Sequence, residues 1–115
     1  MNTIKLEVTI DTQNPTDLKA AQDELRELFA GYLSDWWHRE EIAAEDMSKQ
    51  TEGNSLLFKL WLPAKGEFGG SILGFMEQLE TNTNVSKIEA KLDGERVSLT
   101  LLGAQLQPFM RQVRI

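Results

Sequence analysis

The sequence predicts an α/β protein of the α+β kind. It should be a two-layer sandwich in which a mixed four-stranded sheet carries two helices on one face. Three observations predict this. Four stretches have apolar residues at period two, and two longer stretches between them have apolar residues at helical spacing. Three of the four strand-like stretches carry a polar second face, which leaves one side of the sheet for water and the other for both helices. An Asp-Gly pair joins the last two stretches, and both of its residues accept positive φ in a tight hairpin. The order is β-α-β-α-β-β. It implies parallel neighbours across the helical connections and an antiparallel hairpin at the end.

Each element has its own residues. Ile4, Leu6, Val8 and Ile10 alternate with Thr3, Lys5, Glu7 and Thr9 in a half-buried strand. Asn14-Pro15 reads as a helix start, with Asn capping free amides, Pro at the first position and Asp17 at the positive end of the dipole. The stripe Leu18, Ala21, Leu25, Leu28, Phe29, Tyr32 and Trp36 follows, and the pattern runs to about Ala44. Gly31 interrupts it and marks a close contact or a bend. The polar stretch Ser48 to Asn54 reads as a loop. Leu56, Phe58, Leu60 and Leu62 then share one face of a strand, and Leu57, Lys59 and Trp61 the other. Such a strand is either covered on both sides or an edge strand with an apolar outer face.

Gly66-Glu67-Phe68-Gly69-Gly70-Ser71 leads into the second helix, with Ser71 as its cap and Ile72, Phe75, Met76 and Leu79 as its buried stripe. Ile88, Ala90 and Leu92 alternate before Asp93-Gly94, and Val97, Leu99 and Leu101 after it. In the tail, residues 104–115, Leu106, Phe109, Met110 and Val113 suit a short helix, and Val113 and Ile115 also suit a strand.

Size and composition narrow the function classes. A chain of 115 residues is read as a single domain, 1–115. With no Cys, thiol nucleophiles, disulfides and zinc ribbons are excluded, in keeping with a reducing compartment. The N-terminus alternates instead of presenting a basic and then an apolar region, and no apolar run approaches a membrane span. The expected address is cytoplasmic, with no membrane partner. Of the acids and bases, ten acids and only four bases fall between Asp17 and Glu52, so this segment holds the entire net charge of −6. That disfavours direct nucleic-acid binding, which needs Lys and Arg to neutralise phosphates.

Motifs of chemistry are weak. The glycine-rich run lacks the Lys-Ser/Thr of a phosphate loop and the spacing of a dinucleotide site, and Glu67 would repel a phosphate. It reads as a strand-to-helix turn. His38 is the only histidine, and with Asp35 and Glu41 at helical spacing it forms a three-ligand triplet of the sort an acid-rich helix produces by chance. The adjacent pairs Glu40-Glu41 and Glu45-Asp46 lack the apolar setting that would separate their pKa values for acid/base work. No catalytic, cofactor-binding or metal-binding residue is therefore assigned. The β-α-β-α-β-β outline, with Gly66-Glu67-Phe68-Gly69 ahead of the second helix, resembles small adaptor domains of bacterial conflict systems. The likeness is confined to a few glycines and the hairpin, so it carries no residue role across.

What remains is partner binding. Trp36 and Trp37 point about 100° apart on a helix, so one joins the core and the other lies at its edge. Trp61 and Leu57 occupy a strand's outer face, where they serve a partner or are covered by the C-terminal segment. The expected function is a non-enzymatic protein-binding module, in its sharpest form a small acidic inhibitor or immunity-type protein that binds a basic surface of another protein. Asp23, Glu27, Asp35, Trp37, Glu41, Glu45, Leu57 and Trp61 are the candidate contacts. The alternative is a homo-oligomeric structural or adaptor domain, such as a conflict-system or phage accessory protein. A small metal-assisted hydrolase using His38 comes third.

Overall fold

The structure, a computed structural model, describes residues 3–12, 18–47, 55–63 and 66–109. The elements run β1 (Ile4–Thr12), α1 (Leu18–His38), β2 (Ala43–Asp46), β3 (Ser55–Leu62), α2 (Gly69–Thr81), β4 (Val85–Leu92), β5 (Glu95–Val97) and α3 (Leu99–Gln105). A single 3-10 turn, Gln107–Phe109, follows. The strands form one five-stranded sheet in the order β2-β3-β1-β4-β5, and every neighbouring pair is antiparallel. The α+β class is as the sequence predicts, but the four-stranded mixed sheet with parallel neighbours is corrected. The short strand β2 reverses the chain between α1 and β3. Strands joined through a helix are therefore never adjacent, and β1 lies between β3 and β4. This connectivity is the split β-α-β pattern, with β5 added at one edge.

Alternation sorts the sheet into two faces. Leu6, Val8 and Ile10 of β1 and Leu56, Phe58, Leu60 and Leu62 of β3 are buried in the same core as α1 and α2, so both helices lie on one face. Three rings bind the layers. Phe29 of α1 stacks on Phe58 of β3 at 4.2 Å, and Phe75 of α2 meets both edge-on at 5.4 and 6.2 Å. On the other face the register aligns Glu45, Lys59, Glu7 and Lys91 across four strands, a row of alternating charge suited to water.

The β4–β5 hairpin turns at Asp93-Gly94, with φ of 49° and 87°. Asp93 is also bonded to β1: the Lys5 amide donates to Asp93 Oδ1 at 2.9 Å, and the Asp93 amide to the Lys5 carbonyl at 2.8 Å. The last strand is shorter than its alternation suggests. Ser98 caps α3, its hydroxyl accepting from the Leu101 amide at 3.0 Å, so Leu99 and Leu101 belong to a helix. Leu102, Leu106 and Phe109 then enter the core on the helical face, with Phe109 stacked on Phe68 at 4.8 Å. The described part of the tail therefore does not cover Leu57 and Trp61. Residues 110–115, on which the strand alternative rested, lie outside the described residues, as does the Asn14-Pro15 helix start.

The glycine-rich run is explained by packing. A Cβ on Gly69 would stand 3.0 Å from the carbonyl oxygens of Leu106 and Phe109, so α2 can begin against the C-terminal turn only without a side chain there. Phe68, fully buried, precedes the helix with no side-chain cap. Ser71, expected as the cap, lies inside α2. Gly31 has open space around it and marks no close contact.

Candidate functional site

The first helix ends earlier than its pattern suggests, and that shapes the candidate site. After His38, the Glu41 amide donates to the Trp36 carbonyl at 2.9 Å and the Glu40 amide to the Trp37 carbonyl at 3.0 Å. Glu40 is held at φ 59°. This is the paired hydrogen-bond pattern of a Schellman termination, with glutamate where glycine is usual. The chain then drops Ile42 into the core and starts β2.

The two adjacent tryptophans separate at this terminus, as their spacing requires. Trp36 ties α1 to α2: its Nε1 donates to Ser71 Oγ at 2.9 Å, and its ring meets Phe68 edge-on at 6.4 Å. The Arg39 guanidinium lies 4.6 Å above the Trp36 ring. Trp37 turns the other way. One side packs on Phe29 at 5.5 Å, and the other faces an open groove of about 550 Å3. Glu40, Glu41, Ala43, Ala44, Trp61 and Pro63 form the rest of its wall, together with Thr3 and Ile42. The register brings Trp61 there, opposite Ala43 on one side and Lys5 on the other.

The candidate contacts thus fall in three places. Trp37, Glu41 and Trp61 meet in this groove. Leu57 shares the outer face of β3 with Trp61, and Glu45 faces the same way from β2, opposite Lys59. Asp23, Glu27 and Asp35 are exposed along α1, away from the groove. Asp23 lies 3.7 Å from Arg26, whose Nε also bonds Asp46 on β2 at 2.9 Å. Glu27 borders a polar cleft between α1 and the end of α2, beside Glu24 and Asn82. The helical pattern expected to run to about Ala44 is therefore corrected at Glu41 and Glu45. Those two residues belong to the helix terminus and an edge strand.

The same early termination separates the His38 triplet. Glu41 lies beyond the helix and pairs with Arg39 at 3.2 Å. Among the described residues no three His, Asp or Glu side chains come together as a metal-holding group. Also among the described residues, no helix is long and apolar enough to cross a membrane. The place of Glu40 in the groove wall is not signalled by the sequence, because a charged pair after a helical pattern reads as more helix. The only cue to the stop was the weak apolar character beyond Trp37. Compared with protein-family models, curated proteins and solved structures, the chain matches none. The chemistry of the groove must carry the functional reading.

Proposed function

We propose that the protein is a non-enzymatic binding module that docks a basic surface of a partner protein, in the manner of a small acidic inhibitor, in the cytoplasm. One observation carries the reading. Two half-buried tryptophans and two glutamates share an open groove at the C-terminal end of α1, where the helix dipole adds negative potential to theirs. Carboxylates at that end are unfavourable for the helix itself, and Glu40 also occupies a conformation better suited to glycine. Aromatic anchors bordered by charge are the usual makings of a binding hot spot. Acidic potential of this kind accelerates association with a cationic partner more than it tightens the complex.

A partner isolated on the immobilised protein provides the test, with Glu40→Lys/Glu41→Lys as the comparison. Both positions are exposed, so the fold tolerates the change. Stopped-flow association should be steeply slower for the double variant at low salt. The difference should shrink as the screening length falls to about 8–10 Å. Association indifferent to both charge reversal and salt would remove the proposal. A second reading, self-association, is favoured by Leu57 and Trp61 sharing the outer sheet face, one on each side of Lys59. A concentration-dependent dimer in sedimentation equilibrium, lost in Trp61→Ser, would select it.

A further inference from the structure

We infer that the groove beside Trp37 is a receptor for one arginine side chain of the partner, a reading that rests on the function proposed above and specifies its chemistry. Two neighbouring indoles supply the contrast. Trp36 already holds a guanidinium, that of Arg39, over its ring at 4.6 Å, and its Nε1–H is bonded to Ser71. Trp37 and Trp61 border the groove, and among the described residues neither carries a cation over its ring or makes a side-chain hydrogen bond. Two carboxylates, Glu40 and Glu41, complete the wall, and the last carbonyls of α1 give that end of the groove a negative potential. Two described cations near the groove have partners within the chain. Arg39 stacks on Trp36 and pairs with Glu41 at 3.2 Å, and Lys5, opposite Trp61, pairs with Glu7 at 3.4 Å.

A planar cation with several N–H donors matches this lining. It can stack on an indole while its edge donates to a carboxylate, which an ammonium group cannot do in the same pose. Glu41 has its own partner in Arg39, so Glu40 is the acid left to receive the incoming fork. Its left-handed backbone, fixed by two hydrogen bonds of the helix terminus, sets the direction from which the carboxylate meets the groove.

The test uses the full chain and tri-arginine peptide, with tri-citrulline as the uncharged isostere and tri-lysine as the ammonium control. The three indole N–H resonances are followed by NMR. Tri-arginine should shift Trp37 and Trp61 saturably and leave Trp36 unmoved. Tri-citrulline and tri-lysine should each bind roughly five-fold or more weakly. Glu40→Gln should abolish the preference for tri-arginine, whereas Asp23→Asn/Glu27→Gln, on the same helix but outside the groove, should keep it. Equal shifts with tri-citrulline, movement of Trp36 in place of Trp37, or equal loss in the two sets of variants would each overturn the arginine assignment. The partner association measured above would stand apart from any of these. If it still responds to Glu40→Lys/Glu41→Lys, the binding reading survives with another ligand chemistry.

Discussion

Replacing Glu40 with glycine should make the protein more stable. Glu40 sits at φ 59° in the position that ends α1, and the amides of Glu40 and Glu41 close the termination whatever side chain is present. A residue with a Cβ in this region gives up roughly 1–2 kcal/mol. A carboxylate at the negative end of a helix gives up about 0.3–1 kcal/mol more. Glycine loses about 0.5–1 kcal/mol of the combined gain by loosening the unfolded chain. The balance is about 1 kcal/mol in favour of Glu40→Gly. At this chain length that is roughly 4 °C in Tm, or a shift of about 0.3–1 M in the urea midpoint with m unchanged. Glu40→Ala separates the two causes, because it removes the charge and keeps the strained backbone, so its gain should stop at about 0.3–1 kcal/mol. Equal stability of the alanine and glycine variants would refute the backbone part of this reasoning. If the groove binds arginine, the more stable glycine variant should also be the poorer binder, a trade that is common where function occupies a strained position.

Three further outcomes are expected. Gly69→Ala should destabilise by about 1–3 kcal/mol in urea unfolding, since its Cβ meets two backbone carbonyls that cannot swing aside; a neutral result would mean the C-terminal turn is loosely held. Ser71→Ala leaves the Trp36 indole N–H without its acceptor across the α1–α2 contact and should cost about 1 kcal/mol, with faster hydrogen exchange at that indole. His38→Ala should change stability by no more than about 0.5 kcal/mol and leave partner association unaltered, because the ring is exposed and meets Trp37 in a T-shaped contact at 5.8 Å. A many-fold loss of function would return the histidine to consideration as a functional group.

The inner face of the sheet was legible because β1 and β3 alternate without a break, and the Asp93-Gly94 turn because its chemistry is local. What escaped reading was β2. Its four residues, Ala43 to Asp46, are small or acidic, three of them are exposed, and the strand exists because its backbone pairs with β3. Alternation and β-propensity report burial of side chains, and a short edge strand buries almost none. Missing it reversed the inferred direction of every neighbour of β1, although the two long helices and the face they occupy were unaffected. The third helix was disguised in a similar way. Val97, Leu99 and Leu101 satisfy period two, and only the Ser98 cap with Leu102 and Leu106 reveals the change of period. At the site, the tryptophans stood out by type, but their meeting with Glu40 depends on a helix stop that no glycine announces.

The place of β1 between β3 and β4 also governs how the chain can reach this structure. Val8 pairs with Phe58 on one side and with Ala90 on the other, so the first strand remains half-unpaired until nearly the last strand has been made. A growing chain that has completed α2 but not β4 presents an open strand edge over Leu6, Val8 and Ile10, with the loop-closure entropy of most of the sequence still opposing its completion. Such an intermediate is prone to pair with another unfinished copy. Refolding should therefore be slow for a protein of this size, and its yield should fall with concentration.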